Sequence, residues 1–392
     1  MRQFVLLLAL GFRSSFARLR SCSVIIIGVG TVTIVLCFFG AMTAGLESAF
    51  EASGRADRAV ILRQGSDTEI TSRLPRKFED TLRAAPAIGK SEPDGPAISA
   101  ELLRILNLKD ERGVTLTFQI RGIGQGATLV RPEFQIVAGR SFRPGTQEIV
   151  VGKTLLDTNR LFRVGSKISI KRTDWIITGV FTSGGSLHES QLLTDVDALL
   201  SLYGSDQVSS FTVRLRTPEA IAELRSFVAD VPGSRVDIIN EESYYQRQTG
   251  EASALLRAMA QVVGIFMVIA ALFASMTAVN TSLQARWTEV ATLRALGYAN
   301  THMIAAISIE TLAFAIVGAI IGGVVAILFF SGISVMTLTG SELESQTAFQ
   351  LTVTGKTLLS SALWAVIVGV LGGLIPAVGV VRVSVVDALK QA

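Results

Sequence analysis

The sequence predicts an α-helical membrane protein with four transmembrane helices plus an α+β extracytoplasmic domain inserted between the first and second spans. Three observations carry that prediction. Of 392 residues, 49% are hydrophobic and 17% charged, with a mean hydropathy of +0.49, which is too apolar for an ordinary water-soluble chain. The apolar residues gather in four segments, Val24–Leu46, Leu255–Leu283, Ile304–Phe330 and Leu358–Val381. Each is long enough to cross about 30 Å of hydrocarbon, which takes roughly 20 residues. Between the first and second lie about 200 residues in which strand and helix patterns mix.

In lipid every backbone N–H and C=O must be satisfied within the chain, so the four segments are helices. Their orientation follows from the cations beside them. Arg2, Arg13, Arg18 and Arg20 precede the first span, Arg286 and Arg294 lie between the second and third, and Arg382 and Lys390 follow the fourth. Gly332–Gly355, between the third and fourth, carries Glu342 and Glu344 and no Lys or Arg. The positive-inside rule then makes both termini and residues 284–301 cytoplasmic, and residues 47–254 and 332–356 external. The expected division is a cytoplasmic amphipathic helix at 1–21, spans at 22–46, 255–283, 302–331 and 357–381, the extracytoplasmic domain at 47–254, a coupling segment at 284–301, an outside loop at 332–356 and a cytoplasmic tail at 382–392. The predicted location is the cell (inner) membrane. Residues 1–20 have signal-peptide features, but Arg13, Arg18 and Arg20 stand before a full span, which fits a helix lying on the cytoplasmic lipid surface.

The net charge of +4 does not point to nucleic acid: acids and bases nearly balance from Glu47 to Ala254, and no basic stripe runs among aromatics. The two cysteines, Cys22 and Cys37, lie in or beside the first span, so the external domain is not stapled by disulfides. Within that domain the patterns predict strands at Arg58–Arg63, Val114–Ile123, the start of Phe134–Arg143, Glu148–Val151, Lys167–Lys171, Trp175–Phe181, Gln191–Thr194, Ser209–Arg216 and Val236–Ile239. Helices are expected at Pro75–Ala84, Gly152–Leu161, Asp195–Tyr203 and Pro218–Asp230, with Pro86–Pro96 a loop. No strict βαβ period appears, so the domain reads as α+β in two lobes. A helix then begins near Glu241 and runs to about Leu283, roughly 60 Å, unless it is two helices kinked near Gly250 or Gly264.

Small residues recur at helical spacing in the spans: Gly318 and Gly322, and Gly369 and Gly373, form GxxxG pairs that allow close helix approach, within the chain or between chains. Glu310 lies in the third span, where a carboxylate is costly and so a functional candidate by default; the reading preferred over that one places it near the cytoplasmic end, hydrogen-bonded to a neighbouring helix.

Sites for chemistry are missing. Gly152-Lys153-Thr154 and Gly355-Lys356-Thr357 resemble phosphate loops, but Gln147 and Gln350 stand where the loop's first glycine belongs. Two histidines, His188 and His302, cannot build a His-rich metal site. His188-Glu189-Ser190 reads as a polar loop rather than a catalytic set. The chain is expected to bind no cofactor or metal and to be no enzyme, so any work it does needs an outside engine. Ala285–Gly297 is the element that would meet one: a short charged helix between two spans, with Arg286, Glu289 and Arg294 at helical spacing around Val290, Leu293 and Leu296, and Gly297 at its end.

The residues Glu289–Gly297, EVATLRALG, followed by Ile304, Glu310-Thr311-Leu312, Gly318 and Gly322, resemble the FtsX/MacB-type ABC transporter permease family. The end, Pro376-Ala377 through Arg382 to Val386-Asp387-Ala388-Leu389-Lys390, is similar to that family's closing motif, with Val378, Gly379 and Val385 departing from its usual residues. Phe134–Phe142, Glu148–Leu156, Val164-Gly165 and Thr178-Gly179-Val180 are similar to its periplasmic core domain. The resemblance implies a permease subunit that pairs with a second permease chain, as a homodimer, and with a separate ABC ATPase that uses ATP and Mg. It implies mechanotransmission: ATPase motion passes through cytoplasmic coupling helices and stalk helices to the outside domains, which handle substrate there or at the outer leaflet. A periplasmic adaptor or outer-membrane channel is a further expected partner, besides the lipid bilayer. The expected function is export or extraction of a hydrophobic small molecule, peptide or lipid of the envelope. The alternative is a non-transporting regulator that uses the same stroke to activate a cell-wall hydrolase.

Overall fold

The computed structural model describes residues 19–91, 95–109, 113–159, 161–284, 292, 298–339 and 345–381. The expected amphipathic helix, all but residue 292 of the charged segment 285–297, and the cytoplasmic tail lie outside or almost wholly outside the described residues. The principal helices in chain order are α1 (Leu19–Ser53), α2 (Phe78–Arg83), α3 (Lys153–Thr158), α4 (Val196–Tyr203), α5 (Ile221–Ala229), α6 (Glu241–Gln284), α7 (Asn300–Phe330) and α8 (Gly355–Val381). Four of them, α1, α6, α7 and α8, are long and apolar enough to cross a membrane. The chain divides into a helical unit, drawn from residues 1–44, 255–332 and 352–392, and an α+β unit, Gly45–Ala254 with Ile333–Leu351.

The helical unit is built on side chains small enough to let backbones approach. Ile25, Val29 and Val32 of α1, Val268 and Ala271 of α6, Ala315 of α7, and Ala365 and Val368 of α8 form its buried centre. Outward-facing Phe266, Phe273, Leu328 and Leu363 are well exposed, as a lipid-facing surface requires. No break interrupts α6, which runs through Gly250 and Gly264 as one helix of 44 residues, about 66 Å at 1.5 Å per residue.

The α+β unit is organised on one mixed sheet. Its strands are β1 (Arg58–Arg63), β2 (Ile98–Lys109), β3 (Thr115–Ile123), β4 (Gln135–Gly139), β5 (Glu148–Gly152), β6 (Lys167–Ile170), β7 (Thr173–Thr182), β8 (Gln191–Asp195), β9 (Ser210–Arg214) and β10 (Val236–Asn240). The order across the sheet is β10-β1-β9-β2-β3-β8-β5-β7-β4, with β6 also on β7. The β3/β8 and β5/β7 pairs are parallel and the others antiparallel. The sequence reads two lobes; the strands instead join into one sheet. The joining element is β2, twelve residues that sequence patterning does not mark as a strand. Its Leu, Ala, Glu and Arg content favours helix, and tertiary pairing with β9 and β3 overrides that preference.

The two faces of the sheet differ. On one, Ala59 and Ile61 of β1, Ala100 and Leu102 of β2, Phe118 and Ile120 of β3, and Phe211 and Val213 of β9 form the apolar core with α2, α4 and α5. On the other, the alternate residues Arg58, Glu101, Gln119, Arg121, Gln191, Ser210 and Thr212 point away from that core, and most of them are buried as well. The outer end of α1 and the first turns of α6 lie over this second face, through Ser53, Glu241, Tyr244 and Tyr245. The segment that the sequence reads as an outside loop contains a hairpin, β11 (Ser334–Thr339) with β12 (Ser345–Gln350), whose Ala348 and Phe349 are buried within the α+β unit.

Candidate functional site

Of the residues expected to matter, the ATPase-coupling set Arg286, Glu289, Val290, Leu293, Arg294, Leu296 and Gly297 lies outside the described residues. The helix-packing set is described. A Cβ on Gly318 would stand 2.6 Å from the carbonyl oxygen of Ile26, and one on Gly322 2.5 Å from that of Gly30, so this pair seats α7 backbone on α1 backbone. Gly369 and Gly373 of α8 face α7 too, but against side chains: a Cβ on Gly369 would stand 2.7 Å from the Ala315 Cβ and one on Gly373 2.8 Å from the Thr311 hydroxyl. Both GxxxG pairs therefore make contacts within this chain. Pro376 is buried in α8, and Glu310 is partly buried in α7.

The chemically densest part of the molecule is the second face of the sheet. Seven charged side chains form one alternating chain there: Glu69, Arg121, Glu101, Arg131, Glu241, Arg58 and Glu133. Arg121 of β3 forks onto Glu69, with Nη1 and Nη2 each donating at 2.8 Å. Its Nη1 also donates to Glu101 of β2 at 2.5 Å, and its Nε to the Gln191 side chain at 2.9 Å. Glu69 accepts a further bond from Ser210 of β9 at 2.6 Å. Arg131 lies 3.6 Å from Glu101 and donates to Glu241. Arg58 of β1 lies 3.5 Å from Glu241 and forks onto Glu133 at 2.6 and 2.7 Å. Glu241 also accepts from the Arg55 backbone N–H at 3.2 Å. The three arginines are each 1% exposed, so their charges have no access to water and depend on these partners.

Glu241 matters because of its position. It is the first residue of α6 and directly follows β10, so its carboxylate ties the start of the 44-residue helix to strands β1 and β2 through the arginines. An acid in the first helical turn is also favoured by the exposed N–H groups there. Three contacts reinforce the tie: the Tyr244 hydroxyl accepts from the Glu69 N–H at 3.2 Å, the Tyr245 hydroxyl stands 3.4 Å from His188 Nε2, and the Phe50 ring of α1 meets the Tyr245 ring edge-on.

Protonation behaviour divides the carboxylates. Burial pushes Glu241 up, and Arg131 and Arg58 offset this only in part, so it ends above the usual carboxylate range. For Glu69 burial acts in the same direction but the Arg121 fork and the Ser210 hydroxyl outweigh it, and its carboxyl ends lower than usual. Glu133 behaves like Glu69, with Arg58 overcoming its burial. His188 is pushed well below the ordinary imidazole range, by burial first and then by Arg131 and Arg121, and so stays neutral. Glu241 thus differs from Glu69 and Glu133, whose guanidinium partners outweigh their burial.

The loop beside this face is held by its own carboxylate. Glu189 is consumed in shaping its own loop, accepting from Thr154, Thr182 and the N–H groups of Ser183 and Gly185 at 2.6–2.9 Å. Gly152 of the first GKT tripeptide is where the chain passes this loop: a Cβ there would fall 2.0 Å from the Glu189 carbonyl oxygen. Among the described residues, no group of His, Cys, Asp and Glu is gathered to hold a metal ion. What the arrangement does is hold separate chain segments to one sheet face through largely buried charges.

Two family models match the chain. A family described as MacB-like periplasmic core domain matches residues 21–230, and one described as FtsX-like permease C-terminal matches residues 262–385. Among solved structures the chain is similar to the extracellular domain of the noncanonic ABC-type transporter YknZ from Gram-positive bacteria, at 14% identity and a TM-score of 0.36, covering 47% of this chain and 100% of that one. It is also similar to the periplasmic region of MacB from Actinobacillus actinomycetemcomitans, at 14% identity and a TM-score of 0.39, covering 52% of this chain and 96% of that one. No curated protein matches. With one family covering more than half of the chain and the other most of what remains, this membrane protein, with its extracytoplasmic α+β domain, belongs to the FtsX/MacB-type family of ABC transporter permeases.

Proposed function

We infer that the chain is the non-catalytic membrane subunit of an ABC exporter or extractor, and that it passes the motion of a separate ATPase to its extracytoplasmic domain. In this reading two copies pair, the ATPase supplies ATP and Mg chemistry, and both termini face the cytoplasm. The α+β domain is inserted between the first and second spans. The cargo is an envelope substrate of hydrophobic character: a small molecule, peptide or lipid. A periplasmic adaptor or outer-membrane channel completes the route in an envelope that has an outer membrane. The observation that carries the reading is α6. Forty-four residues form one helix whose first residue is bound by Arg131 and Arg58 into a buried charge chain on the sheet. A helix anchored in this way at one end hands on displacement at the other, because a hydrogen-bonded rod of this kind compresses little.

The input end of the rod is the segment 284–301. There Val290, Leu293 and Leu296 enter a groove on the ATPase, Arg286, Glu289 and Arg294 set the register by charge, and Gly297 closes the helix. The double variant Leu293→Asp/Glu289→Arg is expected to lose co-purification with the partner ATPase and at least tenfold of the stimulated ATP hydrolysis. Full binding and full stimulation by that variant would show that the segment is not the docking element.

A further inference from the structure

One short turn, Leu187–Gln191, touches every segment of the α+β unit that leads to a long apolar helix. The Leu187 N–H donates to the Ser53 hydroxyl, at the outer end of α1, at 2.8 Å. His188 meets the Tyr245 hydroxyl, one turn into α6, at 3.4 Å, with the rings edge-on. Ser190 holds the hairpin β11–β12, the connection between α7 and α8. Its hydroxyl donates to the Ala348 carbonyl and accepts from the Ala348 N–H at 3.1 Å. A single side-chain oxygen thus satisfies both backbone groups of one hairpin residue, as a neighbouring strand would. The turn is in turn fixed to the sheet, because Gln191 opens β8 and its side chain accepts from Arg121.

All of these atoms are buried, with Ser190 3% and His188 2% exposed, so no water competes for the bonds. Direct packing supports the same grouping: a Cβ on Gly45 of α1 would lie 2.2 Å from the Gln350 carbonyl oxygen of the hairpin.

We propose that Leu187–Gln191 is the joint that makes the hairpin move with the outer ends of α1 and α6, and that Ser190 is its positioning residue. The inference rests on the permease reading above and deepens it. An ATP-driven stroke reaching the α+β domain arrives through α1, α6 and the hairpin, and the joint makes the three arrive together. Without the Ser190 hydroxyl the hairpin loses its bonds to the turn, while Glu241 and its arginines still hold the start of α6 to the sheet.

The test uses the full chain in lipid nanodiscs with its partner ATPase, followed by hydrogen exchange with and without ATP and vanadate. In Ser190→Ala the Ala348 amide is expected to exchange at least tenfold faster, while amides of β1 and β9 keep their protection, which shows that the domain is folded. ATP-dependent changes are expected at both the sheet and the hairpin in the natural protein, at the sheet alone in Ser190→Ala, and at both again in Ser190→Thr, which keeps the hydroxyl. Hairpin changes of natural size in Ser190→Ala overturn the joint while leaving the permease reading intact. Absence of any ATP-dependent change in the natural protein overturns the permease reading, and the joint with it.

Discussion

The two units of this molecule solve one problem in opposite ways. Each must hold segments together where water is excluded, and each contains places where apolar side chains do not do it. In the α+β unit the solution is charge: seven side chains of alternating sign on one sheet face, three of them arginines at 1% exposure. In the helical unit it is the removal of side chains, so that Gly318 and Gly322 rest on the backbone of Ile26 and Gly30. Among the described residues, one polar link there joins Cys37 to Ser361 at 3.3 Å. The difference follows from the partners at hand. A sheet brings charges from distant segments into one plane, where planar guanidinium forks can pair with several carboxylates. Helices in lipid gain nothing from the hydrophobic effect against each other and associate through close packing.

The contrast can be broken most forcefully at Arg131. Arg131→Leu takes the guanidinium between Glu241 and Glu101 away, leaving Glu241 only Arg58 and Glu101 only Arg121, and the loss of one member of a buried ionic set costs about 3–5 kcal/mol. Thermal unfolding should fall by several degrees, with amide protection lost in β1 and β9 and kept in α7 and α8. Equal loss in both units would mean that the charge chain does not belong to the α+β unit alone. At the next level, Gly322→Leu forces a side chain into the carbonyl of Gly30, at about 1–3 kcal/mol for overpacking. Its expected signature is the reverse, with faster exchange in α7 and unchanged strands.

The smallest effect sharpens the contrast between buried and surface charge. Glu148 pairs with Arg140 at the domain surface, and that bond holds its carboxyl down to about 2, against an ordinary 4.5. A carboxyl whose folded pKa is depressed stabilises the fold fully above the ordinary value, and that stabilisation is lost as the pH falls from there toward 2. Melting of Glu148→Gln should therefore differ from the natural protein most at neutral pH, by a small amount, and converge with it by pH 2. A difference that grows on acidification would reverse the assigned direction.

How much of this was legible depends on the range of the interactions. The four apolar helices are visible as composition, and β3 as alternation in VTLTFQIRGI, since both patterns are local. Strand β2 is hidden because Leu103 and Ile105 put apolar residues on its polar face, which erases the period of two. The charge chain is hidden for a deeper reason. Alternation assigns Gln119 and Arg121 to a wet face, yet Arg121 is buried against Glu69, 52 residues away, and Arg131 against Glu241, 110 residues away. No local pattern encodes such pairs. The one available signal was an arginine set between Ile120 and Gly122 in an otherwise apolar stretch, together with an acid opening a helix straight after a strand at Asn240.

The glycine contact between α1 and α7 has a mechanical consequence. Side chains that interdigitate must unthread before two helices can slide, whereas bare backbone has nothing to unthread. Where Gly30 meets Gly318 and Gly322, axial displacement by part of a turn meets little steric resistance. Tilting, which drives carbonyl oxygens into the facing chain, meets a great deal. The glycines thus give the seam a softer direction along the helix axis, limited by Thr33 beside Gly322.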